Sequence, residues 1–259
     1  METFIAHDME ALHRADPRLT YHLLTSAVVP RPIAFASTMG DDGVANLAPF
    51  SYFNLFSANP PLLVFSPNRS GRTQQPKDTF WNVLETGEVV INLVSHAMVN
   101  QMVLASADYP REVDEWAKSG FTPLKSELVR PARVAESPVQ FECRVQQVVT
   151  LGQQGGAGNL IICEVVRMHV AQSVADGQGA PDPLRLDTVA RLGGAWYSRV
   201  TPESLFEAAR PVGVECVGMD GLPESLRQSA VLLGSQLAAL ANVPALPTKV
   251  EAEAWLTQQ

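Results

Sequence analysis

Residues 28–66 read VVPRPIAFASTMGDDGVANLAPFSYFNLFSANPPLLVFS, and this stretch decides the fold. Two strand-like runs, 28–38 and 44–53, are joined across Met39-Gly40-Asp41-Asp42-Gly43, whose glycines can take the positive φ of a hairpin turn. A third apolar run, 62–66, follows Asn59-Pro60-Pro61. The middle run carries Asn46, Pro49, Ser51 and Asn54 in a segment otherwise suited to burial, and Pro49 has no N–H to give a sheet ladder. That much polarity fits either an edge strand with a bulge or a strand that faces a ligand.

Composition narrows the classes. The chain has 259 residues, 46% of them hydrophobic, enough for one large domain or a domain with an appendage. A net charge of −8 argues against gripping nucleic acid or an anionic membrane through bulk charge. Cys143, Cys163 and Cys216 are widely separated and lack zinc or dithiol spacing, so they read as reduced thiols. Residues 1–16 hold Glu2, His7, Asp8, Glu10 and Asp16 and no apolar segment of the kind a signal peptide or anchor needs. No apolar run reaches the roughly twenty residues of a bilayer crossing. The expected compartment is the cytoplasm, with neither nucleic acid nor membrane as partner.

Beyond residue 66 a polar loop, 68–76, leads to Lys77-Asp78-Thr79-Phe80-Trp81-Asn82, where Asp78 or Thr79 is placed to cap a short helix that Gly87 ends. A strand is expected over 88–94. Two helical pieces follow over 95–123, with a Met98, Met102, Ala105 stripe and a stop at Gly120. The clearest hairpin has arms 139–151 and 159–170 around the glycine-rich loop 152–158, a composition that favours mobility. After a linker at 175–183, residues 184–200 return to mixed structure. Short strands with helices inserted between them favour a mainly β, closed antiparallel barrel over a doubly wound sheet. From residue 201 the character changes. A short helix is expected over 202–209 and a longer one from Pro223 to Ala241, on which Leu226, Ala230, Leu233, Leu237 and Leu240 or Ala241 share one face. The expected division is a barrel domain over 1–200 and a helical extension over 201–259 that packs on the barrel or on a second subunit.

The ordered set Pro30-Arg31-Pro32-Ile33-Ala34, Asn46-Leu47-Ala48-Pro49-Phe50-Ser51, Asn59-Pro60-Pro61, Lys77-Asp78-Thr79 with Asn82, Ser137-Pro138-Val139 and Arg191-Leu192-Gly193-Gly194 with Tyr197 resembles the flavin reductase-like family of FMN-binding split barrels. The resemblance spans roughly residues 20–200. It implies an antiparallel Greek-key split β-barrel, bound FMN, NADH or NADPH as electron donor, free flavin or another small molecule as acceptor, and a homodimer with the flavin near its interface. A non-catalytic flavin- or haem-binding protein on the same barrel is the main alternative. The helical insertion 95–123 and the tail after 201 depart from minimal members of the family and give the chain material to cover a pocket.

A flavin needs a flat apolar slot, groups that bond its ring edge, and donors for its phosphate. The segment from Asn46 to Tyr52 is suited to slot and edge. The resemblance places Asn46, Ala48 and Ser51 near the ring, with Pro32, Leu47 and Tyr52 beside them, and this strains strict alternation enough to imply a bulge at Pro49. Lys77, Asp78 and Thr79 join a cation to exposed amides at a helix start, the best phosphate candidate, with Ser66 adding a hydroxyl. The competing reading is an ordinary helix start with a solvated lysine. Arg31, held extended between two prolines, is either a cation aimed at the reduced flavin or a surface arginine on an edge strand. His169 in the last long strand and Arg227 in the tail are possible pocket residues. His169 otherwise serves structure; Arg227, with Asp220 and Ser229, otherwise belongs to a packing helix. No histidine pairing with metal-ligand spacing and no nucleophile elbow occurs, so neither a metal nor a catalytic side chain is expected.

Overall fold

The first hairpin forms as read. In the computed structural model, which describes residues 3–211, 216–248 and 250–251, β1 (Ala34–Met39) pairs antiparallel with β2 (Ala45–Phe50), Ala34 opposite Phe50 and Met39 opposite Ala45. The expected strand 44–53, however, is two strands. The chain bends at Ser51 and Tyr52, and a separate β3 (Phe53–Ala58) turns back through a tight corner to β4 (Pro61–Phe65). The expected bulge at Pro49 is absent: Pro49 stands in regular register opposite Phe35. Because β2 is an edge strand, a residue lacking N–H costs the sheet no interior ladder bond.

The chain continues with α3 (Asp78–Thr86), β5 (Glu88–Asn92), α4 (Val99–Leu104), α5 (Glu115–Ser119), the short pair β6 (Pro123–Leu124) and β7 (Arg133–Val134), and the long hairpin β8 (Val139–Thr150) and β9 (Asn159–Val170). Neither Asp78 nor Thr79 caps α3: Lys77 holds the cap position without a side-chain bond, and Asp78 opens the first turn. Gly87 ends the helix at φ 66°, a left-handed conformation that glycine adopts without a Cβ penalty. Two helices precede the barrel, α1 (Met9–Ala15) and α2 (Pro17–Ala27), the second capped by Asp16 with proline in its first turn. After β9 come α6 (Pro183–Leu186) and the pair β10 (Val189–Arg191) and β11 (Tyr197–Arg199).

Seven strands lie in the order β2-β1-β5-β8-β9-β4-β3, every pair antiparallel. The order forces curvature. If flat, six gaps of about 4.8 Å would hold the edge strands roughly 29 Å apart. Yet β2 ends at Phe50 and β3 starts at Phe53, and three residues span at most about 10 Å. The sheet must therefore curl until its edges approach, and Ser51 and Tyr52 bridge the remaining split. This is the mainly β split barrel.

Period-two alternation divides the core. Ala34 and Ala36 of β1 join Leu63, Phe65, Val89, Ile91, Cys143, Ile161 and Cys163 from the strands around the curl, with Val83 of α3. Phe35 points the other way, into a cluster with Leu47, Met98, Met102, Ala105, Trp116, Phe121 and Val134. The inserted helices thus cover the outer face of β1, and the methionine stripe read from the sequence is what they bury.

The chain divides into two units, Met1–Ser204 and Leu205–Gln259. In the second, α7 (Gly218–Gly221), α8 (Glu224–Arg227) and α9 (Gly234–Ala241) enclose a small core of Leu222, Leu237 and Ala241. The continuous helix expected from Pro223 to Ala241 is broken. Pro223 caps α8, and Ser229 Oγ then accepts from the N–H groups of Val231 and Leu232, a turn that competes with helix continuation before Gly234 restarts it. Leu233 is accordingly exposed rather than on a shared face. The helix expected over 202–209 is only a single tight turn, Pro202–Ser204.

Candidate functional site

The split carries the site. Three recesses share walls across it, of about 920, 760 and 80 Å³. Pro49, Phe50, Ser51 and Tyr52 line the largest, with Ser66, Asn68, Arg69, Arg72, Lys77, Asp108 and Gly155 to Gly156 opposite and Pro17, Arg18 and Tyr21 of α2 above. The second continues past Tyr52 into an apolar hollow that includes Leu24, Phe53, Phe56, Val64 and Leu160. The smallest opens beneath β2 between Asn46, Ala48, Asp78, Thr79 and Glu115.

Ten of the eleven residues expected at a cofactor site line these recesses: Arg31 and Pro32 the apolar hollow, Ser51, Tyr52 and Ser66 the seam, Lys77 the cationic rim, Asn46, Ala48, Asp78 and Thr79 the small recess. Leu47 is the exception. Alternation turns its side chain into the core, where it is fully buried.

Several of the ten do something other than expected. Arg31 is neither a surface residue nor an aimed free cation. It is buried, and its guanidinium donates to the carbonyls of Thr25 (2.6 Å), Val28 (2.7 Å) and Leu192 (3.0 Å), with Ser51 Oγ at 3.4 Å. It fastens the end of α2 and the turn after β10 to the bend at Ser51. Asn46 is also buried, donating to Thr79 Oγ1 at 2.8 Å and to Thr38 Oγ1 at 3.3 Å. Lys77 reaches across to Asp108, with Arg72 3.6 Å from the other oxygen of the same carboxylate. Ser66 Oγ accepts from Asn159 N–H at 3.0 Å and bonds Asn68 Oδ1 at 3.1 Å, and a Cβ on Gly158 would lie 2.9 Å from it, close enough to displace the hydroxyl. Burial pushes the Tyr52 phenol above its usual pKa.

His169 lines none of the three recesses. Its Nε2 lies 2.7 Å from Oε1 of the fully buried Glu142, which also accepts from the N–H groups of Glu127 and Leu128. Arg227 belongs to the second unit, exposed at the end of α8.

Arg69 and Arg72 were not singled out by the sequence reading, although Asn68-Arg69-Ser70-Gly71-Arg72 places two cations around a turn nine residues or fewer before Lys77. Nor was α2, signalled by the Asp16-Pro17 cap. The loop 152–158 is held down rather than free: Arg69 N–H donates to Ala157 O, Gly156 N–H to Arg69 O, and Arg69 Nη2 to Gln153 Oε1. Among the described residues, Arg18, Arg69, Arg72 and Lys77 set four cations against the single carboxylate of Asp108 around the largest recess. In a chain of net charge −8 this is a local reversal of sign. Among the described residues no group of three or more His, Cys, Asp and Glu is placed to hold a metal, and no helix is long and apolar enough to cross a membrane.

The family model of the flavin reductase like domain matches residues 26–186. An uncharacterized protein of Aquifex aeolicus is 36% identical over 184 residues, 71% of this chain and 91% of that one. Nitrilotriacetate monooxygenase component B from Bacillus cereus is similar in structure, with a TM-score of 0.73 and 31% identity over 80% of this chain and 100% of that chain. Pseudomonas fluorescens 2-nitrobenzoate 2-nitroreductase NbaA gives a TM-score of 0.70 at 26% identity, covering 82% of this chain and 99% of its own. With its split barrel and more than half its length matched, the chain belongs to the flavin reductase-like family.

Proposed function

We propose that the first unit binds FMN in the groove across the split and works as an oxidoreductase, with NADH or NADPH as donor and free flavin or another small molecule as acceptor. The observation that carries this reading is convergence. The polar β2 segment and the start of α3 are locked together at the rim of one groove, next to a cationic cluster. The two larger recesses have the volume of a cofactor site. Bound flavin would supply the redox chemistry, accepting hydride and releasing electrons to the acceptor.

The chain's own part is binding and orientation. Lys77, Arg72 and Arg69 would hold the phosphate, and Arg69 Nε is buried without a partner among the described residues. Ala48, Pro49, Phe50 and Tyr52 would form the wall along the ring, with Asn46, Ser51 and Thr79 fixing its position. Arg31 acts through Ser51, as a clamp on the bend rather than a charge on the flavin. The apolar hollow beyond Tyr52 leaves room for a second planar molecule against the first. Residues 205–259 we treat as a separate extension, and the free thiols of Cys143 and Cys163 favour a cytoplasmic setting.

We also infer a homodimer. β3 is an edge strand that exposes Leu55 and Phe56, and a second copy would cover it. Light scattering that finds only monomer at micromolar concentration would overturn this. For the activity, protein loaded with FMN and desalted should keep the oxidised-flavin spectrum and lose it on anaerobic addition of NADH or NADPH. Retention without bleaching by either donor would favour a non-catalytic binding protein, and no retention would exclude the groove as an FMN site.

A further inference from the structure

Glu115 is a carboxyl in an unusual place. Asp114 caps α5, accepting from the N–H groups of Trp116 (2.9 Å) and Ala117 (3.3 Å), and this fixes Glu115 in the first turn. The Glu115 residue is only 6% exposed, its Oε2 has no hydrogen-bond partner among the described residues, and it forms a wall of the 80 Å³ recess under β2. A buried carboxyl oxygen without a partner is costly, on the order of 1–3 kcal/mol or more if charged.

The surroundings do not neutralise it. Lys77 and Asp78 from α3, Asp108 and Tyr109 from the loop after α4, and Asp114 beside it are the titratable groups nearby. Lys77 is paired with Asp108, while Arg111 pairs with Asp42 at 3.1 Å and lies 3.7 Å from Asp78. Neither cation forms an ion pair with Glu115. Desolvation is the largest effect and raises its pKa to about 7; backbone hydrogen bonds at Glu115 and Leu47 oppose it, and the charges of Asp78 and Asp114 add smaller upward pushes. Near neutrality the carboxyl therefore carries a proton part of the time and is able to donate. Both Nδ2 hydrogens of Asn46 are already used, by Thr38 and Thr79, so Asn46 offers the recess only an acceptor. The recess holds about two or three water volumes, too little for a ring but enough for a carbonyl group at a ring's edge.

We propose that Glu115 is a ligand-binding residue whose neutral carboxyl donates a hydrogen bond to a carbonyl oxygen on the polar edge of the ring seated along β2. This rests on the flavin reading above and extends it to a residue of the inserted helices. Ionisation removes the donor and sets a negative charge against the carbonyl oxygen, so flavin affinity is flat below the carboxyl's pKa and declines above it.

The test uses riboflavin, which has no phosphate to titrate, with fluorescence quenching read from about pH 5.5 to about pH 9 on the full chain and on Glu115→Gln. Expected is a wild-type dissociation constant that is level at the acid end and rises by up to about tenfold per unit above neutrality, against a level profile for Glu115→Gln. At the alkaline end the variant binds several-fold more tightly. Melting temperatures at each pH confirm that both proteins are folded, and the wild-type profile alone tests the idea if the variant is not. A level wild-type profile, or the same slope in Glu115→Gln, overturns the proposal. A slope seen with FMN but absent with riboflavin also overturns it, because the carboxyl would then be sensing the phosphate. If neither flavin binds at any pH, it is the flavin reading itself that fails, and this extension falls with it.

Discussion

Asn46 Nδ2 donates to Thr79 Oγ1 at 2.8 Å across 33 residues of sequence, and this bond makes one unit of two parts that would otherwise be separate. Thr38 Oγ1 accepts from both Asn46 and Asn82, and Asn82 Oδ1 accepts from Arg111 Nη1 at 3.0 Å. A continuous chain of bonds, buried from Asn82 inward, thus runs from the loop after α4 through α3 and β1 to β2. The wall of the groove and its cationic rim are positioned by the same network.

Replacing Asn46 with Ala removes both donors: the buried Thr79 hydroxyl loses its donor, while Thr38 keeps the one from Asn82. The expected cost is about 1–3 kcal/mol of stability. FMN and riboflavin should weaken together, since the damage lies at the wall and not at the phosphate. Chemical denaturation and flavin quenching read the two effects. An unchanged denaturation midpoint would show that the network does not hold the fold.

Among the described residues Asp108 is the one carboxylate lining the largest recess, and it occupies Lys77. Asp108→Asn should raise FMN affinity several-fold at low salt and leave riboflavin nearly unchanged, with the gain shrinking as salt screens it. Lys77→Ala should lower FMN affinity roughly tenfold, the scale of one charge-assisted hydrogen bond, again sparing riboflavin. Equal effects on both flavins would move the phosphate away from this rim.

The sequence made the hairpins legible because alternation and turn glycines are local signals. It was less clear where strands stop. Residues 44–53 look like one strand, yet the curl of a seven-stranded sheet requires the chain to pass from one edge to the other at Ser51 and Tyr52, a long-range demand no local pattern encodes. Site residues were legible where polarity interrupted an apolar run, as at Asn46, and where a cation preceded a helix, as at Lys77. Arg31 illustrates the limit. Its flanking prolines announce a fixed backbone, but three carbonyls from α2, the segment after it and the turn after β10 decide that the guanidinium is a clamp. Glu115 gave no signal at all, since its burial depends on the packing of α5 against β2.

His169 supports Glu142, whose carboxylate is fully buried, and lies apart from the groove. His169→Ala should therefore destabilise the chain by about 1–3 kcal/mol, the range for stripping a partner from a buried polar group. Flavin affinity and the bleaching of bound flavin by NADH should be unaffected at temperatures where the variant is folded. Loss of flavin binding without loss of stability would return His169 to the site.

The pKa of Glu115 also makes stability depend on pH, independently of any ligand. Its ordinary value is 4.5, and in the folded chain burial raises it to about 7. Between those values the folded protein holds a proton that the unfolded chain releases. The associated stability is fully present below about pH 4.5 and is lost as pH rises through about 7. Glu115→Gln has no proton to lose. Relative to the wild type it should gain about 1–3 kcal/mol on moving from pH 5 to pH 8, a range set by the shift and reduced for residual solvation. Urea denaturation of both proteins at the two pH values measures the difference. Parallel stability profiles would mean that Glu115 ionises at its ordinary value, and the carboxyl would then be charged, not neutral, at the floor of the recess.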